Sequence, residues 1–383
     1  PQHHRPSTFL PTEYRIKENE DGSKTVWCNE VERMFRTKGM QGFTLYPDKA
    51  YLEVKVRIYN RTPFPQTFLW WANPAVSVND TYKSVFPPDV HAVYDHGKRD
   101  VSSFPIAKGI YYKYDYSPGT DISRYKNIPV PTSFMAVHSN YDFLGGYDDN
   151  TESGILHVAD HHISPGKKQW TWGNGDFGRA WERNLTDEDG PYIELMTGVY
   201  TENQPDFSWL QPYEEKSWSQ YFMPYAEAGY VKNATKEIIA NLDIQDKNVT
   251  IILYATSELN GITVLLKDNS GKLLFSEKTH ISPEKPYIKS LILSDVEAQD
   301  IILSILSENN RNILTYQPEK EENNLIPKPA SAAKEPKDIL LIEQLYLTGL
   351  HLEQYRHATF NPLDYYEEAL SRDPGDVRCN NAV

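Results

Sequence analysis

AYLEVKVRIYN, residues 50–60, sets apolar Leu52, Val54, Val56 and Ile58 alternately with charged Glu53, Lys55 and Arg57. Successive strand residues face opposite sides, so a period of two reads as a β-strand with one buried and one polar face. Outward from it, QTFLWWANPAVSV (66–78), SFMAVH (133–138), GILHVAD (154–160) and YIELMTGVY (192–200) repeat the short-strand signature. Between them lie loops rich in Pro, Gly, Asp and Asn, notably SVFPPDVHAVYDHGKRD (84–100) and YSPGTDISRYKNIPVP (116–131). No amphipathic helix of convincing length is expected between Lys24 and Tyr230. Many short strands joined by long loops predict a large antiparallel β-sandwich that carries function on its loops.

A change of composition follows Tyr230. NVTIILYAT, GITVLLKD, GKLLFSEK, YIKSLILS and DIILSILSEN succeed one another between residues 248 and 309, with DNSG (268–271) as a hairpin turn. These predict a small immunoglobulin-like β-sandwich over 231–317, serving as a spacer or packing domain. Residues 318–338 are Pro-, Ala- and charge-rich without periodicity and read as a linker. From 339 to 383 the pattern turns helical, in ILLIEQLYLTGLHLEQY and NPLDYYEEALSRDPGD. Gly349, Tyr366, Ala369, Leu370 and Pro374 resemble a tetratricopeptide repeat, with one extra residue between Gly349 and Ala369. One such hairpin cannot bury its own face, so the start of a longer array is expected, with a protein partner for it.

Composition narrows the function. A net charge of −14 argues against a basic nucleic-acid groove. No apolar run approaches the roughly 20 residues of a membrane span. Cys28 and Cys379, at opposite ends of the chain, exclude a disulfide framework and form no metal-ligand spacing, so structural zinc is not expected. No signal peptide is read, and a chain opening at Pro1 leaves room for a removed N-terminal segment. Low cysteine use fits cytoplasm and periplasm alike.

Residues 169–225 mix Trp, Tyr, carboxylates, Asn, Gln and Gly, which suits a carbohydrate pocket. Aromatic rings match the C–H face of a pyranose, and carboxylates and amides match its hydroxyl rim. On a strand, Glu194 faces opposite to Ile193 and Leu195 and so points outward or into a cleft. Glu214, one loop further on, is a candidate second carboxylate, with Asp187 and Asp189 as others. Paired carboxylates serve glycoside hydrolysis, at about 5 Å for retention and about 6.5–9.5 Å for inversion. Candidate substrate-binding residues are Trp71, Asn73, His96, His162, Trp172, Asn174, Asp176, Arg183, Gln204 and Lys216, the last a possible surface partner of Glu214. Asp160-His161-His162 invites a metal, but adjacent strand residues point to opposite faces, so none is assigned. WGNGDFG (172–178) favours an irregular turn beside a ring, and GNGDFG lacks the βαβ context of a nucleotide loop. No cofactor is expected.

The residues Pro165-Gly166-Lys167-Lys168, Trp172-Gly173, Leu185-Thr186-Asp187, Gly190-Pro191-Tyr192-Ile193-Glu194-Leu195, Asn203-Gln204-Pro205 and Pro212 with Glu214 and Lys216 carry a resemblance. They resemble a galactose mutarotase-like domain of a bacterial family of unassigned function, commonly followed by tetratricopeptide repeats. The resemblance covers about 200 of the 383 residues. It implies a β-supersandwich over 1–230 whose concave face binds sugar, with Glu194 at the position of the mutarotase base. Mutarotases carry a His in a His-Pro-Tyr-Phe-like stretch, where this chain reads Leu69-Trp70-Trp71-Ala72-Asn73-Pro74. Three readings follow: a glycoside hydrolase acting on an oligosaccharide or glycoside, a non-catalytic glycan-binding module, and an aldose epimerase or mutarotase.

Overall fold

The computed structural model describes residues 10–199, 208–294, 296–320, 326–354, 357 and 359–383. It divides into two compact units, one ending at Lys328 and one from Pro329 to Val383.

The first unit is mainly β, as the periodicity predicts. The opening stretch forms strand Leu52–Tyr59, with Val54, Val56 and Ile58 buried. It lies in an eight-stranded antiparallel sheet ordered Glu13–Glu18, Lys24–Val31, Lys38–Leu45, Leu52–Tyr59, Glu215–Ala226, Ser153–Ala159, Phe143–Asp148 and Tyr82–Val85. A seven-stranded sheet faces it, ordered Val101–Ser103, Ala92–Tyr94, Thr132–Ala136, Gly166–Thr171, Tyr192–Val199 and Trp70–Ala72, with Ala75–Ser77 also paired to Tyr192–Val199. Tyr82 and Leu144 of the first sheet pack with Val93, Phe134, Ile193 and Leu195 of the second. At one end this interface is polar: Gln220 Nε2 donates to Thr197 Oγ1 (2.9 Å) and Ser164 Oγ (3.0 Å), and His157 Nε2 lies 3.1 Å from Thr197 Oγ1.

A further sandwich follows, made of two four-stranded sheets around Ile251, Leu253, Val264, Leu266, Leu303 and Ile305. The expected turn at 268–271 is present, with Gly271 N donating to Asp268 O (2.9 Å) at φ +84°. This sandwich packs on the back of the eight-stranded sheet, where Leu156, Val158, Met223 and Tyr225 meet Val231, Ile239 and Tyr254.

One expectation fails between Lys24 and Tyr230. Residues read there as a turn open a helix, α1, Asp176–Leu185. Gly178 in the helix and Gly173 before it serve close approach. A Cβ on Gly178 would stand 2.1 Å from the Gly173 carbonyl oxygen, and one on Gly173 would stand 2.7 Å from the Val130 backbone. Helix α1 still joins two antiparallel neighbours, Gly166–Thr171 and Tyr192–Val199, so it is no parallel βαβ crossover.

In the second unit the helical pattern becomes α2 (Ile342–Gln354), α3 (Pro362–Arg372) and a short α4 (Val377–Ala382). Asn361 caps α3, its side chain accepting from Leu363 N (3.4 Å). Gly349 lets α2 and α3 close: a Cβ there would stand 2.6 Å from the Tyr366 ring.

Candidate functional site

Strand parity decides which side chains share a face. In Tyr192–Val199, Ile193 and Leu195 are fully buried in the inter-sheet core, so Glu194 and Met196 face the opposite, outer side of the seven-stranded sheet. Register extends that face in rows. Glu194 pairs with Trp170 on one side and Ala75 on the other. Met196 pairs with Lys168, Lys168 with Met135, and Met135 with Tyr94. Gly198 pairs with Trp71. Tyr94 and Met135, with Leu69, Trp71, Val101 and Val137, form an apolar floor.

Pro74 interrupts the edge between Trp70–Ala72 and Ala75–Ser77, because proline has no N–H to give a ladder. Asn73, just before it, donates from Nδ2 to Glu194 Oε2 (3.1 Å). Lys168 is the missed member of the face. It is buried, and its Nζ lies 2.9 Å from His96 Nδ1. Burial pushes its ammonium down to about 8, with the Glu194 carboxylate opposing that shift. Lys167 next to it has the opposite parity and enters the inter-sheet core, where burial likewise lowers it to about 8. In sequence the two look like an ordinary surface pair; a lysine pair inside a strand flanked by apolar strands was the available signal.

The structure gathers Glu194, Trp71, Asn73 and His96, with Trp172 beside Trp170 on the same face, and separates the other expected residues from them. Glu214 precedes Glu215–Ala226 in the other sheet, whose neighbours are Leu52–Tyr59 and Ser153–Ala159. Its carboxylate accepts from Gln211 N (2.7 Å) and sits 3.8 Å from Lys216. Glu194 and Glu214 therefore do not occupy neighbouring strands, and the expected carboxylate pair is not formed. Asp187 and Asp189 are exposed in the turn after α1, Asp187 at φ +49°. Asp176 and Arg183 are exposed on α1. Asn174 faces the other way, donating to the Lys126 carbonyl (2.5 Å). Trp172 ends the Gly166–Thr171 strand and donates from Nε1 to Tyr192 OH (3.1 Å). Gln204 lies outside the described residues. His162 sits in a turn after Ser153–Ala159, its ring 3.9 Å from that of His161 and tilted 40° to it. The strand argument against a metal thus fails there: a turn brings ligand atoms of Asp160, His161 and His162 within 4.8 Å of one another. His161 Nδ1 is already engaged by Asp142 Oδ1 (2.7 Å).

Fold and face together define a two-sheet antiparallel β-sandwich protein with Glu194, Asn73, Lys168 and His96 clustered on the outer side of its smaller sheet. Residues 2–225 match a family described as a domain of unknown function, DUF5107, and the chain belongs to that family. Residues 233–316 match the second domain of YphG-like proteins. Among solved structures, a TPR-domain containing protein from Parabacteroides distasonis is 22% identical, with a TM-score of 0.49 over 58% of this chain and 36% of that one. The chain thus spans little more than a third of that protein. Slr1438 from Synechocystis is 13% identical (TM-score 0.41, covering 57% and 67%). A galactose mutarotase-like protein from Clostridium acetobutylicum is 11% identical (TM-score 0.38, covering 56% and 67%). No helix among the described residues is long and apolar enough to cross a membrane.

Proposed function

We propose that the outer face of the seven-stranded sheet binds a carbohydrate and moves a proton at its anomeric centre, as an aldose epimerase of the mutarotase kind does. The observation that carries this reading is one carboxylate and one lysine on adjacent strands of a single face. Glu194 and Lys168 are diagonal neighbours, and such pairs lie within reach of each other's side chains. Glu194, oriented by Asn73, takes the proton from the sugar's O1 hydroxyl. The Lys168 ammonium gives a proton to the ring oxygen O5. The C1–O5 bond breaks, the aldehyde turns about C1–C2, and closure on its other face reverses both transfers. Lys168, with His96 beside it, fills the acid role for which the 69–74 stretch has no His. Hydrolysis by paired carboxylates has less support, because Glu214, Asp187 and Asp189 stand apart from Glu194. The C-terminal helices fit a tetratricopeptide-type hairpin, and their partner would be a protein.

Exchange NMR between the α and β anomers of free aldoses tests the main reading. Wild type is expected to accelerate exchange for at least one neutral aldose, and Glu194→Gln to lower the rate by about 10²–10⁴-fold, the usual worth of a general base. Binding without acceleration would leave a glycan-binding module; cleavage of a glycoside without anomer exchange would return the hydrolase.

A further inference from the structure

Helix α1 is built inside out. Glu182 is 4% exposed and takes a hydrogen bond from Tyr125 OH (3.2 Å), while Phe177, Trp181 and Leu185 face solvent at 59%, 42% and 52% exposure. Their spacing of four places them on one stripe. Folding alone favours the reverse, since large apolar side chains left in water forgo the stabilisation that burial gives. These rings are not scattered. Trp181 stacks on Trp172 with centroids 5.2 Å apart and planes 10° from parallel, and Phe177 lies 6.4 Å from Trp181. Trp172 meets Trp170 edge-on at 4.6 Å. Trp170 stands directly across from Glu194 in the register. An aromatic surface therefore runs without a break from the candidate proton-transfer residues to the helix. Hydrogen bonding of Trp172 to Tyr192 holds it in place.

We infer that Trp170, Trp172, Trp181 and Phe177 are subsites for the second and third rings of a neutral oligosaccharide whose reducing-end ring lies at Glu194. This rests on the sugar reading of the Glu194 face. Flat rings in series suit the C–H faces of successive pyranoses. Asp176 next to Phe177, on a chain of net charge −14, favours neutral sugars over uronic acids.

Calorimetric titration with neutral gluco- and galacto-oligosaccharides of one to five rings tests it, using wild type, Trp181→Ala and Phe177→Ala. Both side chains are exposed, so the variants keep the wild-type far-UV circular dichroism. Wild-type affinity is expected to rise about tenfold or more from one ring to three, the size of an aromatic contact. Trp181→Ala should flatten that rise and leave monosaccharide affinity unchanged. Monosaccharide binding with no dependence on chain length overturns the inference alone, as does equal weakening of every length by Trp181→Ala. Absence of binding at any length overturns the sugar reading and this inference with it.

Discussion

Lys168 is the residue on which the chemistry turns. A general acid works best with a pKa near the operating pH, and burial brings this ammonium down to about 8. The acid must carry its proton, so exchange activity should fall as pH rises through about 8, and Lys168→Arg should move that limb to higher pH. A pH–rate profile of wild type and Lys168→Arg checks this; identical alkaline limbs would remove Lys168 from the acid role. Glu194 was legible in the sequence because Ile193 and Leu195 flank it, and parity alone turns it away from the core. Asn73 and Trp71, from the 69–74 stretch, and His96, from the 84–100 loop, join it. Lys168 enters the sequence reading only among the residues that carry the family resemblance, because two adjacent lysines give no sign of which face each takes. Only the register reveals that one enters the core and the other the outer face.

At the scale of elements, α1 shows what periodicity alone conveys poorly. Phe177, Trp181 and Leu185 do have helical spacing, yet three nearby glycines pointed to an irregular turn. Gly178 instead lets the helix seat against the Trp172–Gly173 backbone, while Gly173 and Gly175 pack on the Val130 and Pro129 backbone. Gly178→Ala should therefore destabilise the protein by about 1–3 kcal/mol, the usual cost of forcing a group into a packed contact. Thermal unfolding and the near-ultraviolet dichroism of the Trp172–Trp181 stack check it; an unchanged midpoint with an unchanged aromatic signal would contradict the seating. Strand Leu52–Tyr59 was readable from its alternation. The separation of Glu214 from Glu194 was not, because the chain leaves the seven-stranded sheet at Val199 and enters the middle of the other at Glu215, and sequence distance cannot show a change of sheet.

At the scale of the whole first unit, three sheet layers support the face that matters. The immunoglobulin-like sandwich covers Leu156, Val158, Met223 and Tyr225 on the back of the eight-stranded sheet. That sheet in turn packs the inner side of the seven-stranded one. Rigid layers beneath a site hold its side chains in fixed geometry, which proton transfer requires. An open groove of about 1050 Å³ adjoins the apolar floor at Val137 and is lined also by Asp89, His91, His138, Tyr141 and Glu319. It has room for a ligand but does not include the Glu194–Lys168 pair, so the two locations make competing predictions. A crystal structure after soaking with a neutral aldose decides between them. The account predicts a ring on the outer face, its O1 within hydrogen-bond reach of the Glu194 carboxylate and its O5 turned toward Lys168; a sugar seated in the Asp89–Tyr141 groove, with the Glu194 face holding none, would contradict it.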